Sequence, residues 1–169
     1  MSTWDTDLPP LLRALHALGF HFDELDFEPY DGFSPSDENA AWFRAWTGNP
    51  AADGADLRVF GQDGTGGYVA FWCVLPDAPI EDQPIVFLGS EGEKGVVAAN
   101  LNDYLWLLAA GFGPFEAIEL PHQPRAPIAR FAAFAQAHAS GPALTAAEVL
   151  ARANAAWPGF AAHIDALCR

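Results

Sequence analysis

The run PIVFLGSEGEKGVVAANLNDYLWLLAAG, residues 84–111, decides the fold. Four consecutive apolar residues, Ile85 to Leu88, read as a buried strand, Ser90-Glu91-Gly92-Glu93 as a turn, and 95–98 as a second strand. Asn100 or Asn102 is then placed to cap a helix with Leu101, Leu105 and Leu108 on one stripe, and Gly111 stands where a left-handed C-terminal residue is wanted. The stretch contains no nucleophile beside a base, no metal-ligand spacing and no phosphate loop entering a helix, so it reads as scaffold.

Upstream, 57–60 and 68–74 are β-prone runs separated by Gly61-Gln62-Asp63-Gly64-Thr65-Gly66-Gly67, which reads as a hairpin loop. The second run is apolar on both faces, as in a central strand covered on both sides. Together the four segments predict a four-stranded antiparallel meander in an α+β domain. Asp7 is expected to cap a first helix whose opening turn tolerates Pro9 and Pro10, with Leu8, Leu11, Leu12, Leu15 and Leu18 at helical spacing and Gly19 ending it. Ser34 or Ser36 should start a second helix bearing Trp42, Phe43 and Trp46. Downstream, Thr145 and Glu148 spell a capping box, and Trp157-Pro158-Gly159 breaks the chain before a last helix. The expected organisation is one domain over 1–169, with a core at about 20–120 and an Ala-rich helical extension at about 124–169 packed on the sheet.

Composition narrows the function. The 169 residues are 51% apolar, enough for a packed core without staples, and the two cysteines occupy unlike contexts, which points to a reducing, cytoplasmic setting. No basic n-region precedes an apolar segment, and the longest apolar run, Tyr68 to Leu75, is too short to span a bilayer. Twenty-two acidic side chains against eight basic ones leave a formal charge of -14, which repels nucleic acid and anionic lipid. In 120–169 four arginines face only Glu148 and Asp165, so the excess lies wholly in the first 119 residues. Such asymmetry predicts a negative face that attracts a basic protein.

Two acidic groups are candidates for that contact. Glu24, Asp26, Glu28 and Asp31 belong to an acidic loop, 21–38, interleaved with Phe22, Leu25, Phe27, Tyr30 and Phe33, which should pin it. In a meander the first and third connections share one end of the sheet, which would bring Asp63 near Glu91 and Glu93; converging carboxylates there could accept Arg or Lys, hold a hard cation or act as acid and base. The cation or hydrolase use is the alternative to partner binding, and a ligand-sensing aromatic cavity is a third. Trp42 and Trp46 would serve as interface anchors if left partly exposed beside the acidic loop. Ser90 lacks the nucleophile-elbow glycine, having Leu88 two residues before it. The five histidines show no ligand spacing. No cofactor or metal is expected.

The run Phe60-Gly61-Gln62-Asp63-Gly64-Thr65-Gly66-Gly67, the aromatic strand after it, and PIVFLGSEGEKGVVA with NLNDYLWLLAAG resemble bacterial members of the SUKH superfamily, a group that includes the Smi/Knr-type regulators of fungal cell-wall synthesis. The resemblance covers about residues 28–118. It implies a central antiparallel sheet packed against helices, no enzymatic activity, and a role as an immunity protein that neutralises a cognate toxin of a polymorphic system. The Ala-rich C-terminal helices are additional to that core.

Overall fold

The computed structural model describes residues 4–169, and these build an antiparallel sheet covered by helices on both faces. The strands β1 (Glu28–Pro29), β2 (Leu57–Gln62), β3 (Tyr68–Trp72), β4 (Ile85–Leu88) and β5 (Lys94–Ala98) lie in sequence order across the sheet. This is the expected meander with one strand more. β1 is only two residues long and pairs Glu28 with Gln62 and Pro29 with Gly61; a Pro-containing dipeptide carries no alternation that a sequence pattern could reveal. The ladder shifts register between Val59 and Gly61. At that bulge Gly61 is pressed against the Phe27 ring, and any Cβ would collide with it.

Alternation along the strands builds two cores. Val69, Phe71, Ile85 and Phe87 face one side, where they meet α1 (Pro10–His16), α3 (Leu101–Ala109) and α5 (Ala129–His138). Ala70, Trp72, Val86 and Leu88 face the other, against α2 (Ser36–Thr47) and α7 (Phe160–Leu167). A short α4 (Pro114–Glu119) packs on β4 and β5. Helix α6 (Ala146–Ala156) runs past β5 and sends Ala146, Val149 and Leu150 into the first core and Ala153 into the second. The C-terminal extension therefore covers the β5 side of the sheet, which would otherwise be an open edge. Its end is stitched back by the Arg169 amide donating to the Thr47 carbonyl (2.9 Å) and by Asn49 Nδ2 donating to the Leu167 carbonyl (2.8 Å).

Local signals mostly act as expected. Asn100 caps α3 by accepting from the Asp103 amide (2.8 Å), Gly111 adopts φ +84°, and the Thr145–Glu148 capping box is complete. Helix α3 is apolar nearly all round and buried nearly all round. Its one buried carboxylate, Asp103, is matched by Arg152 of α6 at 2.8 Å. Asp7 does not cap α1: Pro9 occupies the cap position, and the Asp7 amide instead donates to Asp5. No helix among the described residues is long and apolar enough to cross a membrane.

Candidate functional site

The acidic loop is pinned as its aromatics suggest. Leu25, Phe27 and Phe33 are buried, while Phe22 is left exposed. Downstream of β1 the chain is sewn to its neighbours by the Tyr30 amide donating to the Phe60 carbonyl (3.0 Å), the Phe33 amide to Thr6 (2.8 Å) and the Ser34 amide to Val59 (3.0 Å). This places Tyr30 and Asp31 opposite the first turns of α2, where Glu38 and Trp42 stand four residues apart on one helical face. Between them lies an open groove of about 530 Å³, floored by Val59 and Tyr68.

The groove is lined by the carboxylates Glu28, Asp31 and Glu38 and by the half-buried aromatics Tyr30, Trp42 and Tyr68, with no Lys, Arg or His among its described lining residues. Trp42 and Tyr68 are in contact, with ring centroids 4.6 Å apart. Tyr30 Oη donates to Gln62 Oε1 (2.7 Å), and Gln62 Nε2 donates to Glu28 Oε2 (2.9 Å), so the rim carboxylate is oriented by a chain of two hydrogen bonds. Partial burial, then the proximity of Tyr68, Glu28 and Glu38, raises the Tyr30 hydroxyl far above the ordinary tyrosine range. Asn39 adds a buried acceptor. Its Nδ2 donates to the Gly54 carbonyl (2.9 Å), whereas its Oδ1 is buried with no partner among the described residues. The unmet groups here are therefore acceptors and aromatic faces, which together suit a donor-rich cation.

The other expected acids have different fates. Glu24 is held by Arg130 at 2.6 Å, and the guanidinium hydrogen bond lowers its carboxyl below the ordinary range. Asp26 Oδ1 accepts from the Gly64 amide at 2.7 Å, tying the acidic loop to the β2–β3 turn. Glu28 and Asp31 reach the groove.

At the sheet end the expectation fails for Asp63, which is buried, whereas Glu91 stays exposed. The two turns do meet, since a Cβ on Gly67 would touch the Gly89 backbone, but their carboxylates do not converge on solvent. Asp63 is 1% exposed; its Oδ1 accepts from the Thr65 amide (3.0 Å), the Thr65 hydroxyl (2.8 Å) and the Gly67 amide (2.7 Å). A carboxylate buried in its own turn cannot reach a partner. Glu93 folds back so that its Oε2 accepts from the Glu91 amide (3.0 Å), leaving Glu91 exposed. No group of three or more His, Cys, Asp or Glu among the described residues is arranged to hold a metal ion.

Sequence reasoning did not single out Glu38, Asn39 or Tyr68 as site residues. The usable signal was the Glu38–Trp42 spacing within a helix already expected. Trp46 is an anchor of a different kind, its Nε1 donating to the Gly89 carbonyl (2.7 Å) and fixing the β4–β5 turn. Trp72 packs against Trp157, Phe160 and His163 in the second core. His16 is a half-buried helix-end residue bonded through Nδ1 to the Tyr30 carbonyl (2.8 Å), and desolvation lowers its pKa.

Compared with known proteins, the chain matches no family model, no curated protein and no solved structure.

Proposed function

We propose that this chain is a non-catalytic protein-binding module that captures a basic partner, with Glu28, Asp31 and Glu38 meeting cationic side chains that lie across Trp42 and Tyr68. The observation that carries the reading is the set of uncompensated carboxylates around half-exposed aromatic faces in one groove. Among the described residues only Asp165, Glu116, Glu24 and Asp103 meet a Lys or Arg within 4 Å, so what sets the groove apart is the gathering of three unpaired carboxylates around aromatic faces. Guanidinium groups fit best, because they stack on rings and fork onto carboxylates.

The resemblance to SUKH proteins makes a secreted toxin domain of a polymorphic system the partner of choice, and this protein its immunity factor. A strongly acidic surface suits a basic toxin. Two free cysteines support action in a reducing compartment such as the cytoplasm.

A hexa-arginine peptide titrated onto the full chain, with Trp fluorescence as readout, tests the groove. Binding should weaken as salt rises, and Glu28→Gln, Asp31→Asn and Glu38→Gln combined should reduce affinity at least tenfold. Equal affinity in the triple variant would refute the assignment of the groove. Inspection of the neighbouring gene for a secreted toxin, followed by capture of its product and loss of that capture in the same variant, tests the immunity role.

A further inference from the structure

On the opposite flank of α2 lies a second depression, of about 320 Å³, whose lining includes Trp4, Ser36, Arg44, Asp53 and Arg58. We propose that it is an oxyanion-binding pocket, in which Arg44 and Arg58 together hold a carboxylate or phosphate group. The proposal is independent of the acidic groove and would stand if that reading failed.

In a chain with 22 acidic side chains, each arginine has many carboxylates to choose from. Among the described residues neither Arg44 nor Arg58 has one within 4 Å, although both line the same depression. Two guanidinium groups sharing a concave surface repel each other, and an anion placed between them removes that repulsion. The site is also built. Arg58 Nη1 donates to the carbonyls of Ala55 (2.7 Å) and Leu57 (3.1 Å), and its guanidinium lies 3.8 Å from the centre of the Trp4 ring. Trp4 is in turn fixed by its Nε1 donating to the Ser34 carbonyl (3.0 Å). Arg58 is thereby held in place while its Nε and Nη2 make no hydrogen bond to the described protein atoms.

Arg44 is anchored differently. It sits on the third turn of α2, four residues beyond Ala40 and eight beyond Ser36, so the three share a helical face. Its Nε is buried without a partner, and its terminal nitrogens make no hydrogen bond to the described residues. A buried donor left unmet is uncommon and calls for an explanation, a bound water or ion among them. Asp53 is the one carboxylate in the lining, and its Oδ1 is engaged by the Ala55 amide (3.1 Å). The lining therefore carries two cations to one carboxylate, a net positive charge within an acidic chain. Fork-shaped donors match the paired oxygens of carboxylate and phosphate alike, so the geometry names the oxyanion and leaves its source to experiment.

The full chain is titrated with inorganic phosphate and, separately, with acetate, each at constant ionic strength against sodium chloride. The indole N–H of Trp4 and the Nε–H of Arg58 are followed by NMR. Saturable shifts are expected in at least one arm, at least tenfold weaker in Arg44→Gln and in Arg58→Gln. An unchanged Trp106 indole signal shows that each variant is folded. Saturation with phosphate alone identifies a phosphomonoester-type ligand, and saturation with acetate a carboxylate. Shifts that grow linearly and equally with chloride would overturn the proposal, as would folded variants that bind like the parent.

Discussion

Two acidic regions of this molecule, the β2–β3 turn and the groove beside α2, use the same residue types to opposite ends. At the turn, Asp63 is buried and one of its oxygens accepts three hydrogen bonds from its own loop. In the groove, Glu28, Asp31 and Glu38 line a surface with no described cation. The difference lies in competition from backbone N–H groups. A glycine-rich turn exposes amides that draw a nearby carboxylate inward, whereas beside the groove the Tyr30 and Ser34 amides are already engaged by β2 carbonyls. A net charge therefore counts acids without saying which remain free to act.

The largest effect should come from breaking the turn. Asp63→Ala removes three hydrogen bonds to a buried carboxylate and is expected to cost about 3 kcal/mol in urea unfolding. Asp63→Asn keeps a carbonyl oxygen for the same donors and should lose less than half as much. If Asp63→Ala unfolds at the parent's midpoint, the turn does not depend on that side chain, and the contrast between the two regions collapses.

A smaller effect of opposite sign is expected next door. Glu116 on α4 is 8% exposed, its Oε2 has no partner, and Arg125 is 3.7 Å from the other oxygen. Burial raises its carboxyl above the ordinary range, opposed by its own backbone and Arg125 and reinforced by Asp26 and Asp63. A carboxyl whose pKa is higher in the folded state favours folding most when protonated, and that contribution is lost as pH rises through the folded value. Glu116→Gln should thus stabilise by about 1 kcal/mol at pH 7. The advantage should vanish below the ordinary glutamate pKa of about 4.3. Thermal midpoints of parent and variant across that window check both the size and the sign.

These contrasts mark where sequence stops being sufficient. Asn100, Gly111 and the Thr145–Glu148 box could be read because each acts within a few residues of itself. The Asp63-Gly64-Thr65 order also carried a local signal, an Asp able to accept from the amide two positions on, yet it competed with the expectation of an exposed sheet-end cluster. β1 was hidden because two residues, one of them Pro29, make no period. Asp7 failed as a cap because Pro9 already sets the entry to α1. The groove lay further from reach: it joins residues 28–31 to 38–42 and to Tyr68, which the ladder between β1 and β2 and the packing of α2 on the sheet bring together. Glu24 was read as available, but Arg130, more than a hundred residues on, engages it.

The smallest expected stability effect is the one that most sharpens the comparison. Glu28→Gln, Asp31→Asn and Glu38→Gln together preserve side-chain shape and the acceptor that Glu28 offers to Gln62, while removing three like charges around Tyr30. Substitutions on a solvated surface usually change stability by no more than about 0.5 kcal/mol, and relief of mutual repulsion should place this triple variant at or slightly above the parent. Its effect should appear instead in association, where removal of a steering field slows encounter with a cationic partner and flattens the dependence on salt. Stopped-flow association with the hexa-arginine peptide, measured beside urea unfolding of the same variant, separates the two. A large loss of stability would mean that the groove carboxylates are structural after all, like Asp63, and that the two regions differ only in depth.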